Sequence, residues 1–216
     1  MTDANSDALY ALLCGQGRWF FKQSEFFSVT FHEGGTGELI YIGDHMWIIG
    51  ANIEWNRLPL SSTDVGHKPQ HSTTKIIGTI KLEIRLLKSH AKSLSGRFEE
   101  FLNSMYFYEE AFQPRPLLIT IERGLFAMDN EGMNVALMLE RPHKMRAGRC
   151  GLRLCFDQSP YPSIESTKKE GPFGGNTGYL DLSKYTYAVG KEFLASAKYT
   201  ATRNGSHASE TRCATS

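Results

Sequence analysis

KIIGTIKLEIRLLKS, residues Lys75 to Ser89, decides the fold. Ile76, Ile80, Leu82, Ile84 and Leu86 fall on one parity, with Gly78 in register, while Thr79, Lys81, Glu83 and Arg85 fall on the other. Strict alternation of this kind is the pattern of a half-buried strand, because successive side chains leave opposite faces of a sheet. Its length predicts a long, curved strand, and Gly78 is the natural place for a bend.

The same period of two recurs outward in both directions. Upstream, EFFSVTFH puts Phe27, Val29 and Phe31 on the face of Glu25, and HEGGTG supplies the glycines of a tight hairpin. GELIYIG and HMWIIGANIEWN follow, the latter apolar on both faces and carrying Trp47, Glu54 and Trp55. Downstream, SMYFYEEAF, LLITIERGLF, MNVALMLE, CGLRLCFD and YLDLSKYTYAV read as further strands. HAKSLSGRFEEFLNS has the spacing of a helical connection, because Leu94, Phe98, Phe101 and Leu102 recur at helical intervals. RLPLSSTDVGHKPQHSTT and QSPYPSIESTKKEGPFGGNTG read as loops, and ALYALL near the start as a short capping helix.

Many strands in series, without a βαβ rhythm, predict an antiparallel all-β domain, either a sandwich or a barrel. Long strands, glycines within strands and a strand without a wet face favour the barrel. One face of HMWIIGANIEW is then expected to line the interior and the other to lie under a covering segment. The domain is predicted over residues 1–194, with residues 195–216 as a polar, disordered tail.

GRWFFKQSEFFSVTFHEGGTGELI begins with Gly17-Arg18-Trp19, which resembles the G-x-W signature of calycin (lipocalin-like) barrels. Together with IIGANIEW, ITIERGLF and LRLCFDQSPYP, it resembles segments of a family of small fungal proteins of mostly unassigned function. The resemblance runs from Gly17 to Gly178. It implies a lipocalin-like barrel and, by analogy of fold with natural-product enzymes, a pericyclase of the Diels–Alderase sort. HEGG stands where the family has an aspartate-glycine turn, and AMDNEGMNVALMLERPHKMRAGR departs from it, marking a divergent member.

Bulk properties exclude several classes. The 216 residues carry 24 basic and 23 acidic groups, so no electrostatic footprint for nucleic acid exists. No run approaches the ~20 apolar residues of a membrane span, and the N-terminus lacks the basic region of a secretory signal. A cytoplasmic protein with reduced thiols is expected. Cys14, Cys150, Cys155 and Cys213 are too dispersed for zinc, and in HKPQH Pro69 prevents a helix from holding His67 and His71 on one face. GPFGGNTG lacks the order of a phosphate loop, and no nucleophile elbow or catalytic triad occurs, so neither metal nor cofactor is expected.

What remains is an aromatic interior. Phe27, Tyr41, Trp47 and Trp55, with Phe31, are the expected walls of a cavity for a hydrophobic small molecule, the alternative being that they fill a solid core. Tyr106, Glu25 and Arg153 are the polar groups expected to orient or polarise a substrate. Arg153 and Glu54 are also candidates for a structural ion pair under the covering segment. An inventory without metal, cofactor or nucleophile suits a cyclase or isomerase that acts by holding a terpenoid or polyketide chain in a reactive shape. A carrier that only binds would use the same cavity. A dimer interface on the two-faced strand would need no cavity at all.

Overall fold

In the computed structural model the described residues are 3–21, 27–42, 47–64, 74–91, 107–126, 149–168 and 191–195. A helix, α1 (Asp3–Gly15), precedes eight strands: β1 (Arg18–Phe21), β2 (Phe27–His32), β3 (Thr36–Ile42), β4 (Trp47–Leu58), β5 (Lys75–His90), β6 (Arg115–Phe126), β7 (Arg149–Phe156) and β8 (Glu192–Ala195). The strands pair antiparallel in chain order, and β1 pairs with β8, with Trp19 opposite Ala195, so the sheet closes into a barrel. Closure leaves no unpaired edge, which settles the choice between sandwich and barrel.

Alternation builds the wall as the sequence predicts. Along β5, Ile80, Leu82, Ile84 and Leu86 are all buried. Ile76 departs from the pattern and is 38% exposed. Pairing with β6 shifts between Ile76 and Gly78, and a one-residue shift sends every earlier side chain to the opposite face. The β2–β3 hairpin turns through Gly34 and Gly35, whose φ angles of 94° and 83° belong to the left-handed region.

An eight-stranded barrel has an interior about as wide as side chains can fill. Inward residues here form one contiguous core, including Trp19, Val29, Phe31, Leu39, Tyr41, Ile53, Leu82, Ile119, Leu154 and Phe193. The helix seals one mouth. Leu9, Tyr10 and Leu13 of α1 join the core, and the indole Nε1 of Trp19 donates to the Leu13 carbonyl at 3.0 Å. Gly17, at φ 73°, turns the chain from α1 into β1. At the opposite mouth Arg115 Nη2 donates to the carbonyls of Pro160 (2.7 Å) and Tyr161 (3.1 Å), and the Tyr161 hydroxyl donates to Ile40 O at 2.9 Å.

Gly78 is where the helix meets the wall. A Cβ there would lie 2.5 Å from Leu9 Cδ1, a contact that only a shift of Leu9 relieves. Gly78→Val is therefore expected to loosen α1 at a cost of about 1–3 kcal/mol while the barrel stays closed. Hydrogen exchange checks this: α1 amides should lose protection and amides of β2 and β3 should keep it.

Two expectations need correction. First, the outer face of β4 is covered only in part, since Gly50 is buried but Asn52 and Glu54 are partly exposed, and the more fully covered walls are β2–β3 and β6–β7. There the outward Ser28, Thr30, Glu38 and Ile40, and Leu118, Thr120, Glu122, Arg153 and Cys155, are buried. Second, SMYFYEEAF is not a strand over its described part: Phe107 makes an isolated bridge to Thr167, and Glu109–Phe112 is a 3-10 turn. The helix α1 closes a mouth of the barrel, in line with the capping reading of ALYALL. His90, where the sequence reading starts a helix over 90–104, instead ends β5. The rest of that segment beyond Ala91, the strands in 133–140 and 179–189, and the tail beyond Ala195 lie outside the described residues.

Candidate functional site

The predicted cavity walls divide between the two mouths. Phe27 and Tyr41 pack ring against ring at 4.5 Å, and Phe21, Tyr161 and Phe193 extend that cluster near the Arg115 end. Trp55 belongs to the helix end, 6.0 Å from Phe31 and stacked on Tyr10 at 6.3 Å and 12°. These rings touch one another, as aromatic pairs at such separations do, and so contribute packing. Trp47 lies in β4, with its side chain outside the description, and Glu25 and Tyr106 lie outside the described residues.

Arg153 stands on the outer wall of β7. Its Nε and Nη2 reach the same oxygen of Glu122 at 3.0 and 2.7 Å, and its Nη1 reaches Glu192 at 2.8 Å. The guanidinium also lies 4.6 Å over the Phe126 ring. Burial works against its charge, but the hydrogen bonds to Glu122, with the fields of Cys155 and Glu192, hold its pKa above the ordinary value. It is a structural ion pair, as one reading of the sequence has it, but with Glu122 and Glu192. Glu54 pairs instead with Arg85 across β4–β5 at 2.6 Å, both about half exposed. Such a surface pair contributes little. Beside Arg153 the Cys155 thiol is buried, and its pKa is pushed far up by that burial, then by Glu122.

An open cleft lies elsewhere. Between α1, the end of β4 and the start of β5 lies a cleft of about 340 Å³, lined by Ser6, Leu9, Tyr10, Leu58, Pro59, Leu60, Thr79, Ile80 and Lys81. That volume is at the small end of the usual range for ligand sites. Its lining is apolar for the most part, and Leu60 is exposed at the rim. Tyr10 is held from two sides: Trp55 stacks on its ring, and the Arg57 guanidinium carbon lies 3.9 Å from the ring centroid. Burial raises the Tyr10 pKa, against the field of Arg57, so its hydroxyl stays protonated at neutral pH.

The charges at this mouth come in pairs. Lys81 Nζ lies 2.8 and 3.0 Å from the two oxygens of Asp64, and Arg57 Nη1 lies 2.6 Å from Asp7. Asp64 also accepts the Ser61 N–H at 2.7 Å. The Lys81 hydrogen bonds, then the Ser61 N–H, hold its carboxyl below the ordinary range. A depressed carboxylate pKa means that the tether is fully formed above the ordinary Asp value and fails as pH falls through the lowered one. An acid titration followed by the Ser61 amide resonance is expected to show that late transition, and Lys81→Met should move it towards the ordinary Asp range, the Ser61 hydrogen bond keeping part of the shift.

Among the described residues no helix is long and apolar enough to cross a membrane, and no three His, Cys, Asp or Glu side chains converge as a metal site would require. The sequence reading missed the cleft because Tyr10, Leu60 and Lys81 come from a helix, a loop and an outward strand position. The one local signal was ALYALL, read as a cap. No family model, no curated protein and no solved structure matches the chain.

Proposed function

We propose that this barrel binds an apolar small molecule in the cleft at its helix-capped mouth. The single observation that carries this reading is the cleft itself: about 340 Å³, floored by Leu9, Tyr10 and Leu58, with Lys81 as a polar group at its edge. A mostly apolar lining supplies affinity, and a few fixed polar groups supply orientation. This reading takes the site at the mouth, whereas the sequence reading puts it on the barrel axis.

Thermal unfolding with a panel of terpenoid and polyketide compounds tests the proposal. A ligand at one hundred times its Kd adds about 2.7 kcal/mol. For a domain of this size that raises Tm by roughly 5–10 °C. Leu60→Asp, at an exposed rim position, should remove the shift without lowering the Tm of the free protein by more than about 2 °C. A flat Tm across the panel, or a shift that Leu60→Asp leaves intact, refutes the cleft as the site.

A second reading adds catalysis. Tyr10 and Lys81 are both donors and both line the apolar cleft, so a polyunsaturated chain folded there would have its carbonyl polarised while its ends are held together. This is the cyclase or isomerase of secondary metabolism that the resemblance implies, relocated to the mouth. Gene deletion with metabolite profiling separates the two: accumulation of an uncyclised precursor supports the enzyme, and an unchanged product ratio leaves the binding protein.

A further inference from the structure

The Lys81–Asp64 pair deepens this reading, on which the inference rests. We infer that Asp64, standing behind Lys81 and outside the cleft lining, makes the cleft selective for neutral oxygen-bearing apolar molecules (alcohols, aldehydes and ketones) over the corresponding carboxylates.

Geometry carries the inference. An ammonium has three N–H donors. Two contacts go to the Asp64 oxygens at 2.8 and 3.0 Å, which leaves one N–H for an acceptor in the cleft that Lys81 lines. Asp64 cannot swing aside to free the whole charge. Its carboxylate accepts the Ser61 N–H at 2.7 Å, and its own N–H donates to Ser61 O at 3.1 Å, so the side chain is built into a closed turn. The pair is also sheltered, with side chains 25% and 15% exposed, where screening by water is weaker than on an open surface.

A ligand carboxylate bound to Lys81 would therefore sit beside a second, immovable carboxylate. Repulsion from Asp64 offsets the attraction of Lys81, and the anion has still given up its hydration. Arg57 does not rescue it, because Asp7 already balances that guanidinium at 2.6 Å. A hydroxyl or carbonyl oxygen meets none of this opposition and needs only the single N–H. Asp64 is thus a positioning residue that sets specificity through Lys81.

Three probes on one carbon skeleton test it: geraniol, citral and geranate, titrated at pH 7.5 into the full chain. The wild type is expected to bind geraniol and citral at least tenfold more tightly than geranate. Asp64→Asn, which keeps size and hydrogen bonding but removes the charge, should improve geranate at least tenfold while changing geraniol less than threefold. Asp64→Glu should restore the original preference, which a merely structural role for the turn would not predict. A wild-type preference for geranate, or a ratio that Asp64→Asn leaves unchanged, overturns this inference and leaves the cleft as a binding site. Failure of all three probes to bind any of the three proteins overturns the cleft reading and the selectivity with it.

Discussion

Replacing Glu122 with alanine is expected to destabilise the fold by about 3–5 kcal/mol, a large share of the 5–15 kcal/mol that holds a typical domain together. Glu122 is fully buried, and one of its oxygens accepts two hydrogen bonds from Arg153, whose side chain is 8% exposed. Alanine leaves that guanidinium inside the protein with only Glu192, itself 40% exposed, to balance it. Removing one partner of a buried pair costs more than the pair contributes, because the remaining charge has lost its hydration without compensation. Glu122→Gln should cost less than alanine, since its amide oxygen still accepts from Arg153. The double variant Glu122→Leu, Arg153→Met should recover most of the loss, having no charge left to strand. Urea unfolding at constant m-value measures all three. An alanine variant within 1 kcal/mol of wild type would mean that water reaches the pair.

The contrast between Arg153 and its partners marks how far the sequence is legible. Alternation in CGLRLCF assigns Arg153 to the face opposite Leu152, Leu154 and Phe156, and the structure agrees. Its partners come from register across three strands: Glu122 lies opposite Arg153 on β6, and Glu192 lies two residues from Leu194, the residue opposite Arg153 on β8. Register is a property of non-local pairing, and no window of sequence contains it. Period two likewise gives the barrel wall, whereas the shift between Ile76 and Gly78 is invisible in a run that looks uninterrupted. Phe27, Phe31, Tyr41 and Trp55 are correctly placed inward, but parity says which way a ring points and not whether the rings meet. Phe27 and Tyr41 meet, 4.5 Å apart. The cleft was the least legible feature: Lys81 reads as a solvent-facing residue, and only the fold brings Asp64 and Tyr10 to it.

Trp19→Ala is the other change with a large expected effect, about 3–5 kcal/mol. Trp19 is wholly buried, faces inward from β1 opposite Val29 and Ala195, and joins the short strand to the core. Its Nε1–H also reaches the Leu13 carbonyl near the end of α1, where no following turn supplies N–H donors to the helix's last carbonyls. The residue therefore does two things, and two variants separate them. Trp19→Phe keeps most of the apolar volume and loses the donor. It is expected to cost about 1–3 kcal/mol, from the lost hydrogen bond and the volume left unfilled, with hydrogen exchange rising first at the C-terminal turn of α1. Trp19→Ala should weaken β1 pairing to both β2 and β8, and with it barrel closure, since β1 offers only four residues to each neighbour. Cleft binding supplies the link to function: Leu9 and Tyr10 ride on α1, so Trp19→Phe should lower ligand affinity several-fold although Trp19 does not line the cleft. Equal affinity in Trp19→Phe and wild type, with α1 protection unchanged, would show that the Leu13 contact does not hold the helix, and that Leu9 against Gly78 and Tyr10 against Trp55 suffice to seal the mouth.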